Sequence, residues 1–83
     1  MPRYHLNIFN GFGPVPDEPG QQLDNVDAAR DQAVIGIRSI LSAEVLEGAM
    51  DLRGRIEICD PEGQVLLIVP YADAVTLRLP ESS

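Results

Sequence analysis

One stretch of the chain, from Asn25 to Gly48, carries apolar residues at helical spacing, and the stretches on either side of it alternate with a period of two. The order is strand, weak strand, long helix, strand, strand, with room for a short fifth strand at residues 75–79. It predicts an α+β fold: one antiparallel sheet of four to five strands, ββαββ in chain order, with the helix packed on one face.

The first strand is set by Tyr4, Leu6 and Ile8 on one face and His5, Asn7 and Phe9 on the other. Asn10-Gly11-Phe12-Gly13 reads as a turn. A second extended segment follows near Val15, where Pro14, Pro16 and Pro19 each remove a backbone donor, so it fits only a sheet edge or an irregular return. Asp24 or Asn25 is placed to cap the helix, Asp27 suits the positive end of its dipole, Leu23 is placed to staple back onto the first turn, and Gly48 suits the C′ position.

At 100° per residue Val26, Ala29, Ala33, Ile37, Ile40 and Leu41 form one core stripe, with Val34 and Val45 on its flank. Arg30 and Glu44 intrude near its ends, where long side chains lift their heads into water. Ile35 and Leu46 point the opposite way, an apolar strip on the face expected to be wet.

After Gly54 comes a hairpin: Ile56 and Ile58 alternate with Arg55, Glu57 and Cys59, Asp60-Pro61-Glu62-Gly63 turns the chain, and residues 64–69 return. In the return strand Val65, Leu67 and Val69 share one face and Leu66 and Ile68 the other. A strand apolar on both sides is normally interior, so it is expected between its hairpin partner and the first strand, or with its second face covered. Pro70 ends it and guards against aggregation.

Composition removes whole chemistries. The 83 residues make one domain, residues 1–83, with 80–83 as a frayed tail. The six basic residues are all arginine, and a chain with no lysine holds no Schiff base, P-loop or lysine general base. One cysteine and one histidine exclude an internal disulfide and a structural zinc site within a single chain. No metal and no cofactor is expected. A net charge of −7 argues against nucleic acid and suits a basic protein partner. The N-terminus lacks the apolar core of a signal peptide, and the longest run of strong hydrophobes, residues 65–69, falls far short of the ~20 a spanning helix needs. The expected place is the cytoplasm, off the membrane.

An enzyme would have to be built around His5, the single imidazole, with Asp17 or Glu18 as carboxylate and Ser39, Ser42 or Cys59 as further companions. Nothing in the spacing puts any of them beside it, and a polar strand face explains His5 more simply. Asp17, Glu18, Asp24 and Asp27 lack the alternating ligands of a calcium loop and read as loop solvation and helix capping. Cys59 has no CxxC partner and reads as packing.

The opening Met1-Pro2-Arg3-Tyr4, the turn at Gly11, Asp17-Glu18-x-Gly20, Leu23 before Ala28-Ala29-Arg30, and Gly54-x-Ile56-x-Ile58-x-Asp60-x-x-Gly63 ending at Pro70 form an ordered set. In that order and spacing the chain resembles a family of short bacterial proteins, commonest in alphaproteobacteria, catalogued as domain of unknown function 6894. The resemblance spans residues 1 to about 75 and implies neither catalytic residues nor an activity. Gly36, which costs the helix about 1 kcal/mol relative to alanine, departs from what relatives are expected to carry.

The expected function is therefore a small acidic, non-enzymatic interaction or regulatory module that self-associates as a homodimer, with Ile35, Leu46, Leu66 and Ile68 as candidate interface. The alternatives are an acidic antitoxin-like or inhibitor subunit that neutralises a basic partner protein, and a small hydrolase built on His5 and Asp17.

Overall fold

Tyr4 and Leu6, the inward residues of the first strand, are buried, and the rest of the sheet is registered on them. A computed structural model describes residues 2–81. Its strands are β1 (Arg3–Asn10), β2 (Gly13–Val15), β3 (Gln21–Gln22), β4 (Arg55–Cys59) and β5 (Val65–Pro70); α1 spans Val26–Leu46, and a 3-10 turn spans Tyr71–Ala74. The strands form one antiparallel sheet in the order β2-β1-β4-β5, with β3 paired to the N-terminal half of β1.

Two expectations about the sheet are corrected. The fifth strand is β3, two polar residues opposite Arg3 and Tyr4, and residues 75–79 form no strand. The stretch 75–79 has the right alternation but no neighbour, because the 3-10 turn carries the chain away from the sheet and over α1, where Arg38 Nε donates to the Ala74 carbonyl at 2.7 Å. The interior strand next to β1 is β4, and β5 lies at the edge. Pairing Leu6 with Ile58 and Ile8 with Ile56 places β4's isoleucines over the helix, and β4 is the strand flanked on both edges, by β1 and β5, with Cys59 buried on the opposite face.

A bulge between Ile58 and Cys59 also breaks the expected face of β5. Leu67 still meets Ile58, but Val65 meets Cys59 and is exposed with Leu66 and Ile68. Of the expected tail at residues 80–83, Pro80 and Glu81 are exposed and belong to no element, and residues 82–83 lie outside the described residues.

The helix begins where expected, with Asn25 as its cap: Asn25 Oδ1 accepts from the Ala28 N–H at 2.9 Å. It ends in a Schellman motif, Ala49 N–H donating to the Glu44 carbonyl and Gly48 N–H to the Val45 carbonyl, with Gly48 at φ +88°. Its buried residues are Ala29, Ala33, Ile37 and Leu41, and the two alanines let the backbone lie close on Leu6, Ile56, Ile58 and Val69. Val26, Val34 and Ile40 pack on the rim. At 1.5 Å per residue α1 is about 31 Å long, nearly twice the length of β4, so its last turn overhangs the sheet and leaves Val45 exposed. Among the described residues no helix is long and apolar enough to cross a membrane.

Candidate functional site

The fold brings His5 and Asp17 together through the Asp17 backbone carbonyl, not through its carboxylate. His5 Nδ1 lies 2.7 Å from the Asp17 backbone carbonyl, which only accepts, so Nδ1 is the donor. The Asp17 carboxylate is turned to the loop instead: Oδ2 accepts from Leu6 N–H and Gln21 Nε2, and Oδ1 from Gly20 N–H. Asp17 N–H in turn donates to Asn7 Oδ1 at 2.8 Å. These bonds hold residues 16–20 against β1 between the two short strands β2 and β3.

Cys59 is the cross-strand neighbour of His5, and both line a shallow cleft of about 220 Å³ with Asn7, Asp17 and Glu18. Its sulfur is buried and accepts from Asn7 Nδ2 at 3.6 Å. Ser39 and Ser42, on α1, are exposed and do not line this cleft. The described residues contain no group of three His, Cys, Asp or Glu side chains placed to hold a metal.

The four apolar interface candidates are all exposed, but they divide between two opposite surfaces. Ile35 (58% exposed) and Leu46 (85%) stand on the side of α1 turned away from the sheet. Leu66 (44%) and Ile68 (49%) stand on the outer face of β5, opposite the helix. The tail does not cover the second pair, since Val75 packs into the core on the helix side. Next to Leu66 and Ile68 the outer face is polar: Arg55 stacks over the Phe9 ring at 4.5 Å and its Nε donates to Glu57 Oε2 at 2.8 Å.

A third surface is formed where α1 overhangs the sheet. A groove of about 680 Å³ runs between the β1–β2 hairpin and the loop after α1, lined by Asn10, Phe12, Glu44, Glu47, Met50 and Asp51 among others. Phe12 is 93% exposed at the hairpin tip, where Asn10 Oδ1 accepts its N–H at 2.9 Å. Glu44 Oε1 accepts from Asp51 N–H at 2.9 Å and ties the loop to the helix. Sequence reasoning passed over this groove. Its local signals are an aromatic at the tip of a glycine turn and a helix whose end carries Glu44 and Glu47 where basic residues are favoured.

Arg53 grips Asp51 with two parallel bonds, Nε to Oδ1 and Nη2 to Oδ2, each 3.0 Å. Those bonds, with the Arg53 N–H on Oδ1, hold the Asp51 carboxyl well below the usual range, at about 2, and raise the Arg53 guanidinium. The linked stability is present above the ordinary carboxylate range and is lost progressively as pH falls from that range through about 2. It is small, because Arg53 is nearly fully exposed. In a carbon-detected NMR titration Asp51 should titrate near pH 2, and Arg53→Ala should return it toward about 3.9. An unmoved midpoint would disprove the pairing.

The family comparison agrees with the folded unit. A family model described as a domain of unknown function (DUF6894) matches residues 3–72. The chain belongs to the DUF6894 family. The DUF6894 match takes in every strand and the helix and stops within the 3-10 turn, so the DUF6894 unit is the sheet with its helix, and the exposed tail lies beyond it. No curated protein and no solved structure matches this DUF6894 chain.

Proposed function

We propose that this protein is a non-enzymatic interaction module that assembles with a second copy of itself through the free edge of β5. The observation that carries the reading is an edge strand without charge, Val65–Pro70, in a chain of net charge −7, with Leu66 and Ile68 exposed beside it. Edges that must stay unpaired are normally guarded by charged residues, and here only Pro70 guards.

The hydrogen-bonding groups fit the same reading. Tyr71 N–H donates to the Gly54 carbonyl at 2.9 Å, which continues the β4–β5 ladder one residue past Pro70. By the alternation of an antiparallel ladder, Leu67 and Val69 then direct their backbone groups at β4, and Ile68 directs its pair outward. Pro70 occupies the next outward position, where its missing N–H costs the ladder nothing. Two copies of β5, antiparallel across a two-fold axis, would pair Ile68's free groups and join Leu66 and Ile68 of both chains into one apolar strip.

Two chains of the same sign repel, so the dimer should tighten as salt rises. Sedimentation at micromolar concentration should give about twice the 9.0 kDa chain mass. Leu66→Glu with Ile68→Glu should give the monomer without loss of circular dichroism, whereas Ile35→Glu with Leu46→Glu should leave the dimer intact. A parent monomeric at tens of micromolar, in low and high salt, would overturn the reading.

A further inference from the structure

The groove at the end of α1 bears a charge that the chain does not neutralise. The C-terminal end of a helix is its negative pole, and acidic side chains there are unfavourable to the helix that bears them. Here Glu44 and Glu47 sit at that pole, no basic residue lies in the last turn, and the one arginine in the groove, Arg53, is already spent on Asp51. The second ion pair of the described residues, Arg55 with Glu57, lies on the outer face of the sheet.

The groove also has an apolar floor. Phe12 and Met50 both line it, from two different segments and both exposed, and an aromatic standing out at a hairpin tip is the kind of anchor that interfaces bury. The cavity falls in the size range of built binding sites. Negative charge around an apolar slot selects a positive amphipathic occupant over a neutral or acidic one.

We propose that this groove docks a basic amphipathic segment of another protein. A leucine-sized side chain enters between Phe12 and Met50, and an arginine or lysine three or four residues along meets Glu44 and Glu47 at the helix end. The inference rests on the reading that the chain works through protein contacts but not on its dimerisation, because β5 does not line the groove.

The probe is a pool of twelve-residue peptides with leucine and arginine three or four positions apart, titrated into the full chain. A matched pool with glutamate in place of arginine, and a peptide of the chain's own residues 75–83, are the comparisons. The arginine pool should bind about ten-fold or more tighter than the glutamate pool, shift the Phe12 amide and Met50 methyl signals, and weaken as salt rises. Phe12→Ser and Glu47→Arg, both at exposed positions, should each weaken it several-fold without lowering the melting temperature, which Glu47→Arg should if anything raise by favouring the helix end.

Leu66→Glu with Ile68→Glu should dissociate the dimer and leave peptide binding intact, so the two readings fail separately. Equal binding of the two pools, shifts centred on β5, or no binding would overturn the proposal. Tighter binding by the peptide of residues 75–83, which carries Leu77, Arg78 and Leu79, would overturn it in favour of the chain's own tail as occupant.

Discussion

Replacing Ile37 by aspartate is expected to unfold the protein at neutral pH. Ile37 is completely buried among Ala33, Leu41 and the inward residues of β1 and β4, and the described residues include no buried charged group to pair with a carboxylate there; the one unpartnered buried side-chain polar atom among them is the Tyr71 hydroxyl. Burial raises such a carboxyl by about 3 units or more, which at pH 7 amounts to about 4 kcal/mol. Loss of the isoleucine's packing adds about 2–5 kcal/mol. A chain of this length has about 4–12 kcal/mol in total.

The sign of the pH dependence gives a second check. The folded carboxyl is raised above its unfolded value, so the electrostatic penalty is absent below about pH 4 and grows as pH rises through the unfolded value of about 3.9. Ile37→Asp should therefore recover part of its stability near pH 4 relative to Ile37→Asn. Ile40 is half-buried at the rim, so Ile40→Asp should fold with reduced stability. Ile35→Asp, two residues from Ile37 on the exposed side, should melt with the parent. Thermal melts of the set would refute the packing if Ile37→Asp and Ile35→Asp behaved alike.

Adding a single methyl at Gly54 should cost about 1–3 kcal/mol, or roughly 4–8 °C in melting temperature for each kcal/mol. A Cβ there would stand 2.8 Å from Tyr71 Cε2, 2.9 Å from Cζ and 3.0 Å from the Phe9 carbonyl. None of these can yield cheaply. The Tyr71 ring is fully buried, Phe9 belongs to β1, and Tyr71 N–H is bonded to the Gly54 carbonyl itself. Close approach, not backbone conformation, is what demands glycine here.

Gly36 is the internal comparison: nothing lies within 4 Å of its would-be Cβ, so Gly36→Ala should hold or gain stability from helix propensity alone. Trimming the ring with Tyr71→Leu should recover part of the Gly54→Ala loss in a double-mutant cycle. A Gly54→Ala protein that melts with the parent would mean that Tyr71 does not rest on Gly54.

What the sequence by itself determined was whatever depends on local period and local chemistry. Alternation in residues 3–10 and 55–59, the helical stripe through Ala29, Ala33, Ile37 and Leu41, the cap at Asn25 and the stop at Gly48 are set by neighbours within a few residues, and all are present in the fold. The exposure of Ile35, Leu46, Leu66 and Ile68 was legible for the same reason: each stands on the far side of a stripe or an alternation.

Tertiary structure decided everything that depends on which segments meet. Two-sided apolarity in β5 suggested an interior strand, yet β4 took that place, because strand order follows the pairing of Leu6 and Ile8 with Ile58 and Ile56, a long-range choice that no local period encodes. Gln21 and Gln22 became the fifth strand because the Asp17 loop delivered them to β1, while the better-patterned residues 75–79 were carried over α1 and found no strand to join. The groove was invisible in the chain for the same reason: Phe12 and Met50 are far apart in sequence, and only the tertiary fold brings the β1–β2 hairpin and the loop after α1 to one groove.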